Sequence, residues 1–279
     1  MIWAVLLSVW SAGCYATAAV VQERLAARGH RGLGGWAASV GLTLFGGATH
    51  TVALGFGTVG VVQALGTLTL VLALPIAAVR SRTPITPGAW RDAGFTVAGL
   101  VLLMSLAEQP ATPAALSSAA TRYLALGTVA AVAGLTVLAW QSTVPVARSL
   151  LLAGASGVAF GVSSVVTKAV LESFTVPGAA AVAVLAVTGY LLGQASYRGG
   201  GLAAPLAMVS VANPVVAATV GMLVLGEGFR SGTTGVVLAV AAGVVSAIGV
   251  AALSRRTTAP VRHTPVPAPA LSLTAPGAA

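Results

Sequence analysis

Three histidines, five carboxylates and one cysteine are the usual general bases, metal ligands and thiol nucleophile that this 279-residue chain offers. Their spacing supports no reaction. His30 and His263 fall in a polar connection and a proline-rich tail, Cys14 has no second thiol, and no two carboxylates lie close enough to share acid–base work. No His/Cys pattern suits a metal, and no glycine loop follows a strand to cradle phosphate. The sequence therefore predicts no catalytic centre, no metal site and no cofactor, and it does not read as an enzyme.

The remaining candidates are polar residues set inside apolar runs, where they are costly and tend to face protein or water. They are His50, Gln63, Tyr190, Gln194 and the pair Asn213-Pro214. Proline inside a helix removes one backbone hydrogen bond and frees the carbonyl one turn earlier, here near Ser210. Such broken helices expose polar backbone to solutes in transporters. At 1.5 Å per residue, Asn213 sits about 17 Å into its run, His50 about 21 Å and Gln194 about 24 Å. Asn213-Pro214 is then close to a membrane midplane, with His50 and Gln194 near opposite faces and Gln63 at a depth like that of His50. His50 is the core side chain whose ordinary pKa, near 6.5, would let it titrate in the physiological range. Each candidate also has a plainer reading: a kink that packs, a core aromatic, or a side chain bonding a neighbouring helix.

The elements that would position these residues are membrane helices. The chain is 57% hydrophobic and 7% charged, too apolar for a soluble surface. A span needs about 20 apolar residues. Nine runs qualify, at 2–22, 34–56, 58–79, 92–107, 122–140, 149–170, 178–197, 202–225 and 232–253. The fold expected is all-α, a polytopic helical membrane protein. The first run lacks a basic residue ahead of it and reads as a retained helix instead of a cleaved signal.

Eleven of the fourteen Lys/Arg residues fall on one side of these runs, among them Arg24, Arg80, Arg91, Arg148, Arg198 and Arg255. Basic connections mark the cytoplasm, so the N-terminus is expected outside and the C-terminus inside. The net charge of +9 is thus a topology signal that gives no reason to expect nucleic acid. The partners implied are the lipid bilayer and a small-molecule solute. A homo-oligomer is compatible with the sequence, and the expected location is the inner (plasma) membrane of a prokaryote.

The runs also repeat. Ser11 to Arg24 resembles Val158 to Lys168, and the second run resembles the seventh. The third and eighth each carry a proline, Pro75 and Pro214, and the fourth and ninth are Val/Ala/Gly helices after a Thr- and Gly-bearing loop. Mates five helices apart cross in opposite directions, which is an inverted repeat. The organisation expected is a first repeat over 1–107, a linking fifth span with its loops over 108–148, a second repeat over 149–253, and a disordered cytoplasmic tail over 254–279.

The stretch Val211-Ala212-Asn213-Pro214-Val215, followed by Leu225-Gly226-Glu227 and then Gly235 and Gly243, resembles the drug/metabolite transporter superfamily, in particular its EamA-like and NIPA-like branches. Gly60 to Leu65 and Leu74-Pro75 resemble the matching NIPA-like segment. The family commonly has ten spans with both termini inside. This chain departs from it in having nine, and in carrying Arg80-Ser81-Arg82 where the Leu-Gly-Glu sequence would recur. The resemblance implies a secondary transporter; the uncharged centre favours a small polar or amphipathic metabolite, because an unpaired charge there is expensive, and proton coupling through His50 is one option. Two alternatives stand beside it: a NIPA-like magnesium transporter, and a membrane scaffold or accessory subunit that transports nothing.

Overall fold

In hydrocarbon every backbone N–H and C=O must find its partner within the protein, which leaves runs this rich in Ala, Val and Leu to fold as helices. A computed structural model describes residues 2–28, 33–54, 56, 62, 65–82, 84–108, 118–225 and 228–257. Among the described residues there are nine helices: α1 (Ile2–Arg28), α2 (Leu33–Leu54), α3 (Leu68–Ser81), α4 (Pro87–Leu106), α5 (Ser118–Gln141), α6 (Pro145–Glu172), α7 (Val176–Ser196), α8 (Ala203–Leu225) and α9 (Gly232–Thr257). Seven are long and apolar enough to cross a membrane. Of the other two, α3 is apolar but short, and α2 has the length but carries Ser39, three threonines and His50. The chain is a multi-pass helical membrane protein.

Local sequence explains the boundaries. Proline opens α6 at Pro145, and Thr175 caps α7 by accepting a hydrogen bond from the Gly178 N–H at 3.2 Å. Arg82 ends α3 in the left-handed conformation, with φ of 55°. The turn between α7 and α8 uses Gly199 and Gly201 at positive φ, 80° and 63°, which side chains disfavour. Several expected boundaries move, among them the end of α1, six residues past its expected end at 22, and the starts of α5 and α6, each four residues early. Helix α9 continues through Thr257, past the Ser254 expected to begin the tail, and α4 begins at Pro87, five residues before its expected start.

Helices α1, α3, α4, α8 and α9 share one core, built from Ala16, Val20, Leu70, Leu74, Ala93, Leu206, Val211, Val250 and Leu253. Helix α1 packs along α2 and α3, α6 packs along α7 and α8, and α4 packs along α9. Helix α5 lies chiefly against α6 and leaves Val129, Val137 and Leu138 outward. At one end, the Arg24 guanidinium donates to the Arg80 carbonyl at 3.4 Å, joining the last turns of α1 and α3. At the other, a two-residue antiparallel ladder pairs Ala107 with Phe229 and Glu108 with Gly228, tying the end of α4 to the α8–α9 turn.

The α4–α9 crossing is reciprocal. A Cβ built on Gly99 would lie 2.5 Å from the Ala242 carbonyl oxygen and from Ser246 Oγ, and one built on Gly249 would meet Thr96 Oγ1 and, at 2.7 Å, the Asp92 carbonyl oxygen. Each helix thus seats its hydroxyl in the other's glycine notch, and Ser246 Oγ donates to the Thr96 carbonyl at 3.0 Å. The same step of 150 residues separates Thr96 from Ser246 and Gly99 from Gly249. Burial follows it: Thr96, Gly99, Leu100 and Leu103 are buried, as are Ser246, Gly249, Val250 and Leu253. Small residues let backbones approach this closely, and van der Waals packing then holds the pair.

Candidate functional site

On α7, Tyr190 and Gln194 lie four residues apart and so share a face. That face meets α1 and α2. The Tyr190 hydroxyl lies 2.9 Å from Ser39 Oγ, and its ring sits 6.2 Å from that of Trp36 at a 59° tilt. Gln194 is 4% exposed, and its Nε2 donates to the Gln22 carbonyl at 2.9 Å. Gln22 in turn donates from Nε2 to Thr43 Oγ1 at 3.4 Å, and Thr43 donates to the Ser39 carbonyl at 2.9 Å. The result is a polar seam, Tyr190–Ser39–Thr43–Gln22–Gln194, joining a helix of the second half to two of the first. It lies at the arginine-rich end, since Gln22 is two residues before Arg24 and Gln194 four before Arg198.

Asn213 and Pro214 stand apart from this seam, within α8 and against α6. A Cβ built on Gly161 would fall 2.6 Å from the Asn213 carbonyl oxygen, and one on Gly157 would fall 3.1 Å from its nitrogen. Gly157 and Gly161 are therefore the close-packing face that a Gly-xxx-Gly spacing suggests. Pro214 is buried inside an unbroken α8 and leaves the Ser210 carbonyl without its helical donor.

Among the described residues, three buried side-chain oxygens have no hydrogen-bond partner: Ser8 Oγ, Gln194 Oε1 and Asn213 Oδ1. Two of the three belong to residues that the sequence selects. Leaving a buried acceptor unsatisfied costs about 1–3 kcal/mol, so each is a place where a donor is wanted.

His50 is half-buried on α2, with its ring edge beside Gly66; a Cβ there would be 3.9 Å from His50 Cε1. No described residue hydrogen-bonds its side chain. It lies seven residues beyond Thr43, about 10 Å further along the helix and away from the seam. Gln63 lies outside the described residues. The structure thus unites Tyr190 and Gln194 in one network, and sets Asn213-Pro214 and His50 elsewhere.

Sequence reasoning missed Gln22, Ser39 and Thr43. Ser39 and Thr43 carry a faint signal, a four-residue spacing on one face of α2. It also missed Asp92, which an expected span start at residue 92 leaves at the membrane edge. With α4 starting at Pro87, Asp92 is 2% exposed, 3.2 Å from the guanidinium of Arg91, and its carbonyl accepts from Thr96 Oγ1 at 3.0 Å. Thr86-Pro87, a residue that can cap followed by proline, was the available signal for that earlier start. Among the described residues no group of three or more His, Cys, Asp or Glu comes together.

No family model matches the chain, and no solved structure matches it. An uncharacterised protein of Corynebacterium glutamicum is 29% identical over 206 residues, which cover 70% of each chain.

Proposed function

We propose that this protein is a secondary transporter of a small polar or amphipathic metabolite, built as an inverted repeat of α1–α4 and α6–α9 that exposes one site alternately to the two sides. The observation that carries this reading is the matched set of contacts. Helix α1 holds α2 and α3 as α6 holds α7 and α8, and α4 and α9, mates in the proposed repeat, cross reciprocally at Thr96/Gly249 and Ser246/Gly99. A twofold axis in the membrane plane relates antiparallel helices in this way, and inverted repeats around a midplane site are a common plan of such carriers. The same plan is what the resemblance of residues 211–227 to the drug/metabolite transporter superfamily implies.

The polar groups support the substrate class. Asn213 Oδ1 and Gln194 Oε1 are acceptors without a partner, and Pro214 denies the Ser210 carbonyl its helical donor, so the solute should bring N–H or O–H donors. A neutral or zwitterionic metabolite satisfies them without leaving a net charge in the bilayer, which is expensive. Basic residues at the seam's end orient that end to the cytoplasm and the N-terminus outside, in the plasma membrane of a prokaryote. His50, between the seam and the far end, is the group through which protons would couple.

Counterflow in proteoliposomes tests this, using a panel of amino acids, other metabolites and magnesium. Exchange of an organic solute, cut about tenfold or more by Asn213→Ala, is expected; one lost buried hydrogen bond to a charged or strongly polar group is of that size. Magnesium flux alone would replace this reading with a cation carrier. Folded protein that exchanges nothing on the panel would favour the scaffold.

A further inference from the structure

We infer that the arginine-rich end carries a binding site for the phosphate of an anionic phospholipid, set between the α5–α6 turn and the end of α7. A cavity of about 400 Å³ opens there. Ser142, Thr143, Arg148 and Arg198 form its polar wall, and Leu152 and Ala195 form its apolar one. The volume falls within the range of about 300–1,000 Å³ that small-ligand pockets occupy.

The cavity is built by local structure. Pro145 starts α6 immediately after a short turn, so Ser142 and Thr143 stay at the rim. Ser142 is tied down by donating to the Val144 carbonyl at 3.3 Å. Gly199, at positive φ, lets the α7–α8 turn fold in beside Pro145, where a Cβ would be 3.3 Å from the proline's own. That turn brings Arg198 across from Arg148. Arg148 is held from the other side, its guanidinium 5.8 Å from the centre of the Trp140 ring.

No carboxylate lines the cavity, and among the described residues neither guanidinium is paired with one. Two forks that each fit a phosphate's oxygens face the same space, with hydroxyls alongside. No carboxylate is present to meet the ammonium of a zwitterionic headgroup, so the chemistry favours a net anion.

A lipid is favoured over a free phosphate ion by what borders the cavity. Helices α5 and α7 both pack on α6 without packing closely on each other, which leaves a groove on α6 between them. Leu191 and Val187, four and eight residues before the cavity's Ala195 on α7, and Leu138 on α5, four before its Ser142, are exposed apolar residues that helical spacing sets on the same faces, and exposed Trp140 contacts Arg148. Acyl chains can lie along them while the phosphate stays with the arginines. Basic pockets between helices at the cytoplasmic surface are suited to anionic headgroups. This site needs no transported solute, so it stands or falls apart from the function proposed above.

The test is native mass spectrometry of the purified full chain in detergent, titrated with phosphatidylglycerol or with phosphatidylcholine of the same acyl composition. Phosphatidylglycerol should be retained at about tenfold lower concentration, and Arg148→Gln with Arg198→Gln should remove most of that preference. Arg230→Gln, at the opposite end, should leave it intact. Exposed Arg198 changed alone to Gln gives a milder variant and should weaken the preference even if the double variant is unstable. Equal retention of the two lipids, or a preference that survives both variants, overturns the proposal. Displacement of phosphatidylglycerol by millimolar inorganic phosphate would reassign the site to a free anion and overturn the lipid assignment.

Discussion

Of the contacts that join the first four helices to the last four, two differ most in kind. At the α4–α9 crossing, glycine faces a hydroxyl on each side, the backbones nearly touch, and whatever one helix does the other repeats. At the α1–α2–α7 seam the partners are unlike. A glutamine, a tyrosine, a serine and a threonine reach across through side-chain hydrogen bonds, and one oxygen of Gln194 is left over. Helix α1 packs on α7 at this end, and the corresponding pairing of α6 with α2 is not among the substantial helix contacts. A close, dry, self-complementary contact can hold only one arrangement. An asymmetric one, held by side-chain hydrogen bonds, can be made and broken at small cost. In the carrier proposed above, the first contact would serve as the pivot and the second as the gate.

The sharpest way to break the comparison is to remove the notches at the pivot. Gly99→Leu drives a side chain into the α9 backbone and should cost about 3 kcal/mol or more, at the upper end of overpacking penalties. Folded yield and thermal midpoint in detergent read the loss. Because the contact is reciprocal, Gly249→Leu should cost a similar amount. A large effect at one position with tolerance at the other would show that the matched geometry carries no matched energy.

Next in size is the α6–α8 approach. Gly161→Val, whose Cβ would lie 2.6 Å from the Asn213 carbonyl oxygen, should cost about 1–3 kcal/mol by the same measurements. The loss should fall short of that at Gly99, because Val216 side-chain atoms share the contact at Gly161 and can give way where backbone cannot.

These glycines also mark how far the sequence could be read. The apolar runs gave the helices, since a run of that length admits no other backbone in lipid, and Gly157-xxx-Gly161 announced a packing face. The pivot was harder to see. Thr96-xx-Gly99 and Ser246-xx-Gly249 are common spacings in a chain with 34 glycines, and only the fold reveals that each notch receives the other's hydroxyl. The seam was hidden for a different reason. Hydroxyls in helices often bond their own carbonyls four residues back, as Thr17, Thr49 and Thr128 do here, so Ser39 and Thr43 carried no sign of a partner in α7 or α1. Gln22 was read as the end of a span, although the helix runs six residues beyond it.

The smallest effect is expected at the seam, and its smallness is the point. Hydrogen bonds between membrane helices average about 0.6 kcal/mol, with a maximum near 1.7 kcal/mol. Tyr190→Phe and Gln194→Leu should therefore shift the thermal midpoint little. The same energies still change a two-state population by about threefold to about twentyfold. Accessibility is the proper readout. Cys14 is the chain's one cysteine and is buried, so a Cys14→Ala background is available with little disturbance. Thr43→Cys adds a half-buried reporter inside the seam, at the cost of the hydroxyl that accepts from Gln22 at 3.4 Å and donates to the Ser39 carbonyl at 2.9 Å, so it serves as the reference for the further variants. If the seam is a gate, Tyr190→Phe with Gln194→Leu should raise maleimide labelling at position 43 several-fold, while Gly161→Val at the α6–α8 approach should not, provided it remains folded. Unchanged labelling would mean that α7 is held against α1 and α2 by packing alone, and the seam would then belong to the frame along with the pivot.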